Sequence, residues 1–189
     1  LMVTPFKPID TKAQFTTRFF HAFKPPAEVL NTGANVINVH HANSINPYIN
    51  YPFFRPAEMK AYVDQAHALG QRVKIYYTVR ELTNRAPEMF ALRSLGDEIF
   101  APGAGGGFSW LQEHLGSNYI AAWFVPELKD AAVVNSGVSR WHNFYVEGLS
   151  WLTKNVGIDG LYIDDVAFDR LTMKRVRKVL DRNRPNALI

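Results

Sequence analysis

The 189-residue sequence contains no cysteine. That excludes disulfide cross-links, thiolate nucleophiles and cysteine-ligated metal sites. No apolar run approaches the roughly 20 residues that a membrane-spanning helix needs. No signal peptide is recognisable, so the compartment stays open, and a secreted or periplasmic location would require a leader outside this sequence. Phosphate-binding signatures are missing too. There is no P-loop and no G-x-G-x-x-G, and the run "GAGGGF" neither follows a strand nor opens a helix. Charge of one sign is not in large excess: 21 basic residues face 17 acidic ones, for a net charge of +4. The basic surplus lies near the end, in Lys174, Arg175, Arg177, Lys178, Arg182 and Arg184. On a helix these residues form a solvated face, and no nucleic-acid motif accompanies them. No cofactor is expected.

Hydrophobic residues make up 47% of the chain and aromatic residues 13%. This is enough apolar material for a core, with rings to spare for flat ligands. Strand-then-helix units recur. "AQFTTRFFH" (13–21) reads as a first strand, followed by a short helix over "PAEVLNTG". "NVINVHH" (35–41) is a second strand, and "RPAEMKAYVDQAHALG" a helix with proline in its first turn and Gly70 as its stop. "RVKIYYTV" (72–79) is a third strand, and "APEMFALRSLG" a further helix. Residues 97–138 form a long insertion without clear periodicity, expected near the active-site face. "SRWHNFYVEGLSWLTKNVG" reads as a helix, "DGLYID" as a fourth strand, "LTMKRVRKVLDRNRP" as a last helix and "NALI" as the start of a fifth strand.

Alternating strands and helices imply an α/β protein with a parallel sheet. The expected architecture is the N-terminal portion of a TIM-type (β/α)8 barrel, about four to five βα units in one incomplete domain spanning 1–189. A full barrel takes about 250 residues. An open doubly wound sheet is the alternative. An incomplete barrel leaves two sheet edges, which invites homo-oligomerisation or pairing with the remainder of a larger parent chain.

Side chains alternate along strands. Ile37, Val39, Val73, Ile75, Val79, Leu161 and Ile163 would face the helices. Asn38, His40, Tyr76, Thr78, Arg80, Tyr162 and Asp164 would face the barrel mouth, and both faces of the first strand carry aromatics. The C-terminal strand ends thus gather His40, His41, Arg80, Glu81, Asp164 and Asp165, with Glu81 and Asp165 placed on the rim. Barrel enzymes work at that end. His40 and His41 precede Asn43, but no dependable third ligand follows, so no metal site is assigned. Arg80 and Glu81 are also readable as partners of each other or of Asp164, and Asp169–Arg170 as a local ion pair.

At "GIDGLYIDD" (157–165) the sequence resembles the fourth-strand signature of retaining α-glycosidases. With "VINVHHAN" and "AHALGQRVKIYYTVREL" it resembles a bacterial family of glycoside-hydrolase-like barrels, similar to β-N-acetylgalactosaminidase and α-galactosidase catalytic domains. The resemblance covers roughly residues 15–170 and implies a glycosidase acting on a carbohydrate. It places the nucleophile of the α-glycosidases on Asp164. One departure is Tyr162, where the α-amylase pattern has arginine. The adjacent pair Asp164–Asp165 is also the hallmark of substrate-assisted hexosaminidases. There the first carboxylate orients the 2-acetamido group and the second is the general acid. Those preferring acetylgalactosamine carry Asp-Glu, and the O-linked acetylglucosamine hydrolases carry Asp-Asp.

Two catalytic carboxyls that flank a bond lie about 5–5.5 Å apart in retaining enzymes and about 6.5–9.5 Å apart in inverting ones. Neighbours on one strand point to opposite sides, so the pair suits the substrate-assisted reading. Otherwise Asp164 is a nucleophile whose acid lies beyond Ile189. His40, His41 and Arg80 are expected to bind sugar hydroxyls, with Glu81 beside them. Tyr76 and Tyr162 would floor the subsite, and Trp110 and Trp123 would stack over it. The alternative is a non-catalytic carbohydrate-binding or scaffold barrel fragment.

Overall fold

The computed structural model describes residues 10–137, 139–164 and 169–189. The first described element is a helix, where a strand is expected over 13–21. Asp10 caps α1 (Thr11–Thr16) by accepting from the Ala13 N–H at 2.9 Å. The Thr16 hydroxyl turns back onto the Lys12 and Ala13 carbonyls. A capped polar start therefore overrides the aromatic and β-branched content of 13–17, and β1 is confined to Phe19–Phe20. After it come α2 (Pro26–Leu30), β2 (Val36–Val39), α3 (Pro56–Ala68) and β3 (Arg72–Tyr76).

The insertion begins earlier than the sequence suggests and has its own fold. β4 (Glu81–Thr83) leads into α4 (Met89–Arg93), α5 (Ser109–Leu115), β5 (Ala121–Val125) and β6 (Asp130–Val134). The three strands form an antiparallel sheet in the order β4-β6-β5. The helix read over 86–96 shrinks to α4 and a 3-10 turn at Gly96–Glu98. The chain then returns to the strand–helix pattern. α6 (Arg140–Trp151) passes into a π-helical turn (Leu152–Val156) that stops at Gly157, whose φ is +81°. β7 (Gly160–Tyr162) and α7 (Arg170–Asn183) complete the order. Asp169 and Arg170 do not act as a pair: Asp169 caps α7, accepting from the Thr172 N–H and hydroxyl.

The main sheet is parallel, in the order β1-β2-β3-β7, each strand stepping one place sideways. This is the arc of a partial TIM barrel. Ile37, Val39, Val73, Ile75 and Leu161 are fully buried or nearly so among helix residues such as Met59, Val63, Tyr145, Leu149, Val176 and Leu180. The alternation inferred from the sequence therefore holds on β2, β3 and β7. Leu188 forms one parallel bridge to Gly160, which is where a fifth strand is expected. A Cβ on Gly160 would lie 2.1 Å from the Leu188 carbonyl oxygen, so only glycine admits this approach.

At the opposite end from the strand C-termini, Asp159 ties four elements together. Its Oδ2 accepts from the Val73 N–H at 2.8 Å and lies 2.7 Å from His67 Nε2. Its Oδ1 accepts two bonds from Arg184, at 2.8 and 2.6 Å.

Gly148 sits where α6 touches the sheet. A Cβ there would meet Tyr77 Oη at 2.6 Å and Phe53 at 2.7 Å. Alanine favours a helix over glycine by about 1 kcal/mol, but overpacking costs about 1–3 kcal/mol. The difference, a net destabilisation of up to about 2 kcal/mol, is expected for Gly148→Ala. Urea unfolding checks this, and a stabilised variant would show that Tyr77 and Phe53 give way freely.

Candidate active site

The strand ends carry the candidate site because each places a mouth-facing residue at its C-terminus. β2 ends into His40, β3 into Tyr76 and then Thr78 and Arg80, and β7 into Tyr162 and Asp164. A cavity of about 360 Å³ lies over them. His40, His41, Tyr76, Arg80, Glu81 and Asp164 line it on the barrel side, and Ile49, Trp123, Val125 and Leu128 line it from loop and insertion.

The floor is aromatic. His40 lies 4.3 Å from His41 and 4.4 Å from Tyr76 between ring centroids, and Tyr76 lies 5.6 Å from Tyr162. Trp123 packs on His41 at 5.3 Å. His21, at the end of the first strand region, completes the group at 5.6 Å from His40 and 5.0 Å from Tyr162. Sequence reasoning passed over His21, because a strand with aromatics on both faces gives no parity.

The polar side is built from fixed backbone contacts. The Thr78 hydroxyl donates to the Asp164 carbonyl at 3.1 Å. The Asn50 amide spans two strands' ends, its Oδ1 accepting from the Thr78 N–H and its Nδ2 donating to the Glu81 carbonyl, both at 2.7 Å. Asn135, from the insertion, donates its side-chain Nδ2 to the Val79 carbonyl and its backbone N–H to the Arg80 carbonyl. Arg80 Nη2 donates to Glu81 Oε2 at 2.6 Å. Glu81 is not a rim residue, since its side chain is 1% exposed. It starts β4, and pairing with Val134 draws it under the insertion sheet. Asp130, on β6, is buried as well. It accepts from the Thr83 hydroxyl and from the Ile49 N–H, and burial raises its pKa. Nothing in the sequence pattern marks it.

Two predicted positions among the described residues do not line the cavity: Tyr162, which packs on Tyr76 and His21, and Trp110. Trp110 stacks on His114 at 4.5 Å, among Phe90 and Phe108. It does not line the cavity, because α5 turns it onto the insertion's own core. Asp165 lies outside the described residues. Among the described residues, no group of three histidine, aspartate or glutamate side chains is placed to hold a metal ion. Nor is any helix among them long and apolar enough to cross a membrane.

Residues 10–189 match the glycoside hydrolase 123 TIM-barrel domain. The chain belongs to that family. No curated protein matches its sequence. Among solved structures, it is similar to the α-amylase of Geobacillus thermoleovorans complexed with acarbose, with a TM-score of 0.57 at 13% identity, covering 86% of this chain and 37% of that one. It is similar to an α-amylase from Lactobacillus plantarum, with a TM-score of 0.60 at 14% identity, covering 92% and 44%. A Paenibacillus cycloisomaltooligosaccharide glucanotransferase, complexed with cycloisomaltoheptaose, matches with a TM-score of 0.60 at 9% identity, covering 95% and 30%. At such identities the likeness is one of fold. The chain spans between about a third and under half of the length of these enzymes. The glycoside hydrolase 123 domain thus presents a glycosidase-type barrel arc with its own inserted antiparallel sheet.

Two histidines of the candidate site, His40 and His41, have lowered pKa values. Burial, with His40 beside it, pushes His41 from the ordinary 6.5 down to about 4. Burial and then His21 lower His40, against the opposing pull of its backbone contact and Asp164. A folded-state pKa below the unfolded one means that the unfolded chain binds the proton first. His41's contribution to stability is therefore full above about pH 6.5 and is lost as pH falls toward 4. Histidine resonances followed by NMR are expected to show His41 titrating near pH 4. His41→Asn is expected to flatten the loss of stability between pH 6.5 and 4, and a midpoint near 6.5 would overturn the assignment.

Proposed function

We propose that the chain is the N-terminal part of a glycosidase catalytic domain that acts on a 2-acetamido sugar by substrate assistance. The observation that carries this reading is the position of Asp164. It lines the cavity at the C-terminal strand ends, beside Tyr76, His40 and Arg80. Family membership supports hydrolysis of a glycosidic bond, and the adjacency of Asp164 and Asp165 supports the substrate-assisted route.

In this reading Asp164 accepts the amide N–H of the substrate and orients its carbonyl oxygen toward the anomeric carbon. That oxygen attacks, the glycosidic C–O bond breaks, and the leaving oxygen takes its proton from Asp165. A cyclic oxazolinium-type intermediate results, neutralised by Asp164. Water, activated by Asp165 now acting as base, opens it and restores both groups. Like charges side by side raise the proton affinity of the pair, which suits one member to act as an acid.

The uncharged floor fits a neutral sugar. Tyr76 is held protonated, since burial first and then the nearby Glu81 and Asp164 charges raise its pKa. His40 and His41 are neutral hydrogen-bonding partners for hydroxyls near neutral pH. Trp123 offers the stacking face.

The test is turnover of aryl β-N-acetylhexosaminides and aryl α-galactosides by a chain extended past Ile189. Cleavage of acetamido sugars alone is expected, and Asp164→Asn and Asp165→Asn should each lower kcat by about 100-fold or more. Cleavage of an α-galactoside with only Asp164→Asn inactive would instead make Asp164 a nucleophile. Sugar binding without any turnover would make the chain a carbohydrate-binding barrel.

A further inference from the structure

A second cavity, of about 590 Å³, lies between α6 and the segment that leads into α3, away from the strand ends. Its main walls are Tyr51, Phe53, Phe144 and Trp151, and two carboxylates, Glu88 and Glu147, open into it. We propose that this cavity binds an organic cation of the alkylammonium class.

Ring geometry is the first reason. Tyr51 and Phe53 meet at 77° with centroids 5.3 Å apart, and Phe53 and Trp151 meet at 70° with centroids 6.0 Å apart. Rings set near right angles form the walls of a box, whereas a sugar stacks on an open, flat ring face. Ring faces carry negative potential and attract a cation within about 6 Å of the centroid. Trp151 is 41% exposed, so one wall of the box is reached directly from solvent.

Charge is the second reason. No lysine or arginine lines the cavity. Glu88 Oε1 accepts from the Tyr51 hydroxyl at 3.0 Å, while its Oε2 is buried with no hydrogen-bond partner among the described residues. That oxygen is shut off from solvent, so Glu88 acts on a cation in the cavity through space and not by direct contact. Glu147 is exposed, and its side chain makes no hydrogen bond or ion pair with another described residue. The nearby Arg175 is engaged by Asn143, one turn before Glu147 on α6, at 2.7 Å. Two negative charges therefore face an aromatic box without a protein cation in it. The close fit of α6 on Phe53, which Gly148 permits, keeps the box rigid.

The test uses choline as the probe cation and 3,3-dimethyl-1-butanol as its neutral isostere, titrated into the protein by calorimetry. Choline is expected to bind at least tenfold more tightly than the alcohol. Trp151→Ala should weaken choline about tenfold and Glu147→Gln about fivefold. Glu147 is exposed, so the urea midpoint of Glu147→Gln should be unchanged. Trp151 is 41% exposed and packs on Phe53, so Trp151→Phe, which keeps an aromatic wall, is measured beside it and should retain most of the choline affinity. Equal binding of the alcohol would overturn the proposal by making the box merely apolar. Failure of choline to bind, or its displacement by N-acetylglucosamine with Trp151 required for both, would overturn it as well. None of these readings depends on turnover at Asp164.

Discussion

The Asp159 carboxylate is the contact on which the arc of strands depends. It sits one residue before β7 and takes the Val73 N–H, so it locks the level of β7 against β3. Two further partners, His67 at the end of α3 and Arg184 just past α7, bring the helices to the same point. A parallel sheet has no tight turns to set its register, and a slip of one residue would turn every side chain to the other face. With Asp159 anchored, Tyr162 lies opposite Tyr76, and the Asp164 carbonyl reaches Thr78. A charged cluster at the N-terminal ends of the strands thus determines what meets at the C-terminal ends. This is the usual division of labour in barrels, stability at one end and chemistry at the other.

The candidate site is shared between the barrel and its insertion. The barrel provides the ring floor and Asp164, while the insertion provides Trp123 and the roof over Glu81. What joins them is a set of buried amides and one buried acid: Asn50, Asn135 and Asp130. Each bonds to backbone, so each positions chain, and Asp130 also holds the Thr83 hydroxyl. Because the Arg80 and Val79 carbonyls are taken by Asn135, the insertion sheet cannot shift without moving the segment that carries Arg80.

Much of this was legible in the sequence. Period-two alternation on "NVINV", "RVKIY" and "DGLYI" assigned the faces of β2, β3 and β7, because burial on one face and function on the other leave a clear pattern. The helix signals on α3 and α6 were as clear. The first strand was not, since an Asp10 cap acts locally and outweighs residue preference. Nor was the insertion sheet, whose antiparallel pairs join β4 to strands far along the chain. Glu81 looks like a rim residue when read as the end of strand three, and becomes buried only because it begins a strand of another sheet. His21 and Asp130 are placed by tertiary contacts that leave no local trace.

The inserted sheet also bears on how the chain reaches this arrangement. β3 and β7 are neighbours in the main sheet, yet the whole insertion and α6 separate them along the chain. Joining them directly from an unfolded chain means closing a long loop, and such distant pairings slow folding. An insertion that first forms its own hairpin-linked β5–β6 pair, and then brings β4 alongside, shortens the distance that remains to be closed. The same module that roofs the cavity would then act as a splint during assembly, bringing β7 toward β3.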